Sequence, residues 1–152
     1  MKKLTCLLFS ILLVMSLTAC GVEIEDTNGD DDYSLATITE ENILKLDLGG
    51  SSYSTSGDDI TTGQKYSSKN FSGVVEIYTI SLLGKSDIEI DLASIFVKKG
   101  NFKLVVVVDD EIVHEFDNEE MMQTFRLDDI SGDVSIRMAG ESASFEFYIQ
   151  VF

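Results

Sequence analysis

The chain has 152 residues, room for one domain with a substantial core and too few for two. Its 27 acidic residues against 11 basic ones give a formal charge of −16, which argues against nucleic acid and against adsorption to anionic lipid. With two cysteines and no tryptophan or proline, the fold leans on packing of aliphatic residues and phenylalanine.

Lys2 and Lys3 lead into Leu4 to Leu17, a run whose only polar residues are Thr5, Ser10 and Ser16. The run is shorter than the roughly 20 residues a bilayer-spanning helix needs, and it suits the apolar region of a signal peptide. It closes on Leu17-Thr18-Ala19-Cys20, and the chain turns acidic at once in "GVEIEDTNGDDDYS". "LTAC" resembles the lipobox of bacterial lipoproteins, and the likeness covers residues 2–20. The resemblance implies a signal peptide at 1–19, removed by cleavage, and a diacylglyceryl group on Cys20 as the new first residue, a form that also carries palmitate. It implies an extracytoplasmic protein held to the membrane by lipid. Gly21, and not Asp, follows the cysteine, which favours the outer membrane in a two-membrane envelope and the outer face of the plasma membrane otherwise. An ordinary secretory signal with a chance cysteine, or an uncleaved anchor, is the alternative. Each buried methylene contributes about 0.8 kcal/mol, so two acyl chains hold firmly where one does not.

Cleavage leaves 133 residues and, with Lys2 and Lys3 gone, 9 basic against 27 acidic groups, or −18. Cys6 leaves with the signal and Cys20 carries lipid, so no disulfide is expected. Residues 20–34 read as lipidated cysteine and acidic tether, because their composition cannot bury a core. Residues 35–152 read as one all-β domain, a single antiparallel β-sandwich of jelly-roll or Ig-like appearance.

Along that domain the first ambiguous stretch is "TEENILKLDLGG" (39–50). Thr39 offers a helix cap, but Leu44, Leu46 and Leu48 also alternate, and a strand is the expectation in a β-rich chain. Next comes "GGSSYSTSGDDITTGQKYSSKNFSG" (49–73), with seven Ser, three Thr and five Gly around Tyr53, Tyr66 and Phe71. Such rings could cover the apolar faces of a sugar while hydroxyls exchange hydrogen bonds, so these three are the candidate ligand-binding residues. A polar edge hairpin with a mobile tip is the plainer reading of the same residues.

Ile88, Ile90 and Leu92 alternate with acids, as Val134, Ile136 and Met138 and then Phe145, Phe147, Ile149 and Val151 alternate with polar neighbours. Strands with one buried face are expected there. "FKLVVVV" (102–108) is apolar on consecutive positions and predicts a central strand covered on both sides. Asp109-Asp110 predicts a hairpin joining it to 111–116. Further turns are expected at 84–85, 99–101, 131–133 and 139–141. The stretches 73–92 and 133–151 look alike and suggest two similar hairpins. "DNEEMM" (117–122) could make one helical turn capped by Asp117.

No catalytic set emerges. The one histidine, His114, shares a predicted strand with apolar neighbours and has no evident partner. "GESAS" (140–144) lacks the final glycine of a nucleophile elbow and precedes no helix. Acid clusters containing Asp109, Asp110, Asp128 and Asp129 could supply oxygens to calcium if their loops converge. Turn chemistry and a charged surface explain the same residues. The expectation from sequence is therefore a surface-displayed, non-catalytic binding or adhesion module for glycan or protein. The alternatives are a structural or regulatory envelope lipoprotein acting through protein partners, or a calcium-stabilised module. Nucleic acid is not an expected partner.

Overall fold

A computed structural model describes residues 37–47, 49, 52–119 and 121–152, all within one compact unit. The expected signal peptide, Cys20, the expected acidic tether and the expected domain boundary at 35 lie outside the described residues. No helix among the described residues is long and apolar enough to cross a membrane.

Among the described residues the elements are a short helix α1 (Glu40–Lys45) and four strands: β1 (Ser54–Ser56), β2 (Gln64–Val108), β3 (Glu111–Glu115) and β4 (Gln123–Val151). All pairings are antiparallel and join the strands into one sheet, so the class is all-β. A 45-residue strand laid straight would reach about 150 Å at 3.3 Å per residue, so β2 has to bend. It bends around β4. Gln64 to Leu92 pairs with Ile149 to Gln123 along one edge of β4, and Ile90 to Val108 pairs with Val151 to Val134 along the other. Ile90, Asp91 and Leu92 are consequently paired on both sides, with 149–151 and with 123–125.

The expected turns therefore behave differently from one another. Only Asp109-Asp110 reverses the chain, with φ of 46° and 65°, the positive pair that a tight two-residue hairpin requires. Aspartate tolerates this region, and the Asp109 carboxylate accepts the Asp133 N–H at 2.9 Å. At 82–86, 97–101 and around 140–143 the strands run on through register shifts, and Gly100, Gly132 and Ser142 take positive φ within them. These bulges bend a strand without ending it. The two expected hairpins at 73–92 and 133–151 are likewise corrected, because 73–82 pairs with 140–132 and neither stretch folds onto itself.

The strand expected at 39–50 is a helix over 40–45. Its N-cap Thr39 accepts the Asn42 N–H at 3.2 Å, Glu41 pairs with Lys45 at 2.6 Å, and Leu46 closes it in the left-handed region. Those local bonds favour the helical turn over the leucine alternation without being enough to hold it, and Leu46 ends exposed. The helical turn expected at 117–122 is absent over its described residues. There Asp117 accepts the Glu119 N–H at 2.8 Å in a bend.

The core lies on both faces of the sheet. Leu104, Val106, Ile136, Met138 and the phenylalanines Phe102, Phe145 and Phe147 pack into the main cluster. Val105, Val107, Val74 and Ala139 point the other way and meet Ile43 of α1. The "FKLVVVV" strand is thus covered on both sides, as its consecutive valines require. Six residues do not make a stable helix in water, so α1 is held by tertiary contacts. Arg137, buried on the α1 side of β4, donates from Nη1 to the carbonyls of Ile43 (3.1 Å) and Leu44 (2.7 Å). Its Nε stands 3.4 Å from Glu76 Oε2, within ion-pair range but without hydrogen-bond alignment.

Candidate functional site

β1 lies against residues 65–67 of β2, and the connection between them is shaped by Asp59, whose carboxylate accepts the Thr61 N–H at 2.8 Å and the Thr61 hydroxyl at 2.9 Å. Those bonds hold the Asp59 carboxyl below its ordinary pKa. Ile60 turns inward beside them, and its carbonyl accepts the Val151 N–H at 3.0 Å. Gly63 closes the connection at φ +101°, where a Cβ would stand 1.8 Å from the Tyr148 hydroxyl. A side chain there would have to displace the end of Tyr148 and take a left-handed backbone besides.

The three aromatic residues expected to bind ligand separate at this point. Phe71 is fully buried and Tyr66 is 3% exposed, so both serve the core. Tyr66 stacks on Phe147 with centroids 5.0 Å apart and donates its hydroxyl to Gln64 Oε1 at 2.6 Å. Burial first, then the charges of Tyr53 and Asp59, push its phenol up to about 12. Tyr53 is 37% exposed; its ring lies 6.1 Å from Tyr66 and 6.4 Å from Phe71. One face of Tyr53 seals the core and the other meets water.

Beside Tyr53 the surface opens into a groove of about 510 Å³. Ser52, Ser54, Ser67, Ser68, Asn70 and Ser144 line it. Ser68 is already engaged, donating to the Ser52 carbonyl at 3.0 Å. Lys69 and Lys98 stand on its walls, and Glu146, also on the wall, is paired with Lys65 at 2.9 Å.

Two residues that sequence reasoning missed extend this face. Phe96 pairs across the sheet with Glu146 and is 55% exposed. Tyr148 is two residues along the same face, opposite Lys65 and Ser94. A signal for both existed: Phe96 falls on the wet phase between buried Ile95 and half-buried Val97, and Tyr148 on the wet phase of "FEFYIQV".

The four aspartates considered for calcium lie in two places. Asp109 and Asp110 form the β2–β3 turn beside Asp133, whereas Asp128 and Asp129 sit on β4 near residue 87. There Asp129 donates its N–H to the Asp87 carboxylate at 2.9 Å, and its own carboxylate lies 3.4 Å from Lys85. Among the described residues no three His, Cys, Asp or Glu side chains converge as a metal site. His114 stacks flat on Phe125 at 4.1 Å and meets the edge of Phe116 at 4.7 Å. Burial lowers its pKa.

No family model and no curated protein matches the sequence. Among solved structures the chain is similar to the secreted serine protease VesC from Vibrio cholerae, at 13% identity and a TM-score of 0.42. That likeness covers 74% of this chain and 26% of VesC, so the chain spans about a quarter of that protein's length.

Proposed function

We propose that the chain is a lipid-anchored, extracytoplasmic, non-catalytic module that binds a glycan or protein segment in the groove beside Tyr53. The observation that supports this best is the groove itself: an open trough lined largely by serines, with the half-exposed Tyr53 among its residues. Aromatic rings cover apolar sugar faces, and hydroxyls both donate and accept, which matches a polyol. The anchor rests on the lipobox likeness at Cys20. Phe96, large and exposed on the same face, favours a second reading in which an envelope protein docks there and the module acts through that partner.

The test has two arms. Metabolic labelling with a palmitate analogue should mark the native chain, and Cys20→Ser should lose the label and leave the membrane fraction; an unaltered label and fractionation refute the anchor. Retention on cell-wall polysaccharide should fall in Tyr53→Ala, a change at an exposed ring that spares Tyr66 and Phe71. Unchanged retention removes the groove from the account, and one stoichiometric protein crosslinked at Phe96 moves it to the second reading.

A further inference from the structure

We propose that the groove takes a carboxylate-bearing polysaccharide, a polyuronate, with Lys69 and Lys98 meeting its carboxylates; this rests on the reading of the groove as a binding site. In a chain of −16, basic residues are scarce, yet Lys65, Lys69, Lys98 and Lys99 all fall at or beside this one groove. Lys65 is occupied in neutralising Glu146 at 2.9 Å. Lys69 and Lys98 line the groove, are exposed, and have no carboxylate in ion-pair range among the described residues. Elsewhere among the described residues lysines are matched: Lys45 with Glu41, Lys85 with Asp129, Lys103 with Glu115. The groove is therefore a local positive seat on a negative body, and the rest of the surface repels a polyanion from any other docking position.

The remaining walls decide between kinds of anion. An acidic peptide would gain most by adding to a long free strand edge, but the edge of β2 at 65–67 is taken by β1, which itself runs for only three residues. What lines the groove besides the lysines is mainly serine, with Asn70 and the half-exposed Tyr53, residues whose polar groups can exchange hydrogen bonds with a sugar. Phosphate is best met by an arginine fork or a long helix's N-terminus, and neither is present on the groove among the described residues. Two lysines, each a single point charge, fit carboxylates spaced along a sugar chain.

The full chain in detergent, run by affinity electrophoresis, tests this with four probes: polygalacturonate, its methyl ester, a neutral glucan and poly-glutamate. Retardation is expected with polygalacturonate alone, weakening as salt rises. The double variant Lys69→Ala/Lys98→Ala should bind roughly tenfold more weakly, with Lys45→Ala/Lys85→Ala unchanged, on the scale of two exposed ion pairs. Equal retardation by the methyl ester or the glucan overturns the polyuronate while leaving a glycan groove standing. Equal retardation by poly-glutamate overturns the polysaccharide in favour of an acidic peptide. No retardation by any probe overturns the inference; Tyr53→Ala retention on cell-wall polysaccharide then shows whether the underlying reading fails with it.

Discussion

Replacing Arg137 with alanine should unfasten α1 from the sheet and cost the domain a large part of its stability. The guanidinium makes two hydrogen bonds to helix carbonyls, at 3.1 and 2.7 Å, and lies 3.4 Å from Glu76. Hydrogen bonds to a charged donor contribute about 1.5–3 kcal/mol each. Removing one partner of a buried ion pair costs about 3–5 kcal/mol. Glu76 keeps partial access to water, at 28% side-chain exposure, so the lower end of that range applies. The expected loss is about 3 kcal/mol, against a total stability of about 5–15 kcal/mol for a domain of this kind. Arg137→Met removes the charge but keeps the stem volume, and it should lose less than alanine. Urea unfolding of both variants measures the loss, and amide hydrogen exchange at 40–45 shows whether the helix opens first. A loss under about 1 kcal/mol in both variants, with helix protection unchanged, would refute the idea that one arginine holds α1 in place.

Gly63→Ala places a methyl 1.8 Å from the Tyr148 hydroxyl at a φ of +101°, and should destabilise by about 1–3 kcal/mol. Adding Tyr148→Ala should restore part of that by thermal melt; no restoration would show the backbone alone to be responsible. His114, whose pKa is lowered by burial between Phe116 and Phe125, favours folding in its neutral form. That contribution is present above the unfolded value of about 6.5 and is lost as pH falls through the lower folded value. Comparing the melting of wild type and His114→Gln between pH 7.5 and 5 isolates it, because the carboxylates, including Glu111 and Glu115 of the same strand, are common to both. Parallel profiles would contradict the assignment.

Much of the fold was legible from alternation. The buried positions of 145–151 and 134–138, the doubly covered valines of 102–108 and the Asp109-Asp110 hairpin all follow from period and turn chemistry. The bends were not, because Gly100 and Gly132 need positive φ whether a chain reverses or merely bulges, and local composition is the same in both cases. The α1 region was balanced between a capped turn and a leucine alternation, and Arg137, 93 residues away from Leu44, tipped it. At the candidate site, Tyr53 and Tyr66 have similar neighbours in sequence. Only the pairing of Tyr66 with Phe147 turns one inward and leaves the other at the surface. The lysines of the groove come from positions about thirty residues apart and meet only because β2 returns to the far side of β4.

That return has a consequence for how the protein comes into being. Gln64 finds its partner at Ile149, 85 positions later, and Val108 finds one at Val134. During head-first synthesis, most of β2 is therefore an unzipped ribbon awaiting a mate that emerges last. Such non-local topology folds slowly, and the valine-rich stretch spends that interval open to intermolecular stacking. The charged neighbours Lys103, Asp109 and Asp110 then matter most before the native state exists, as guards on a strand whose rightful cover has yet to arrive.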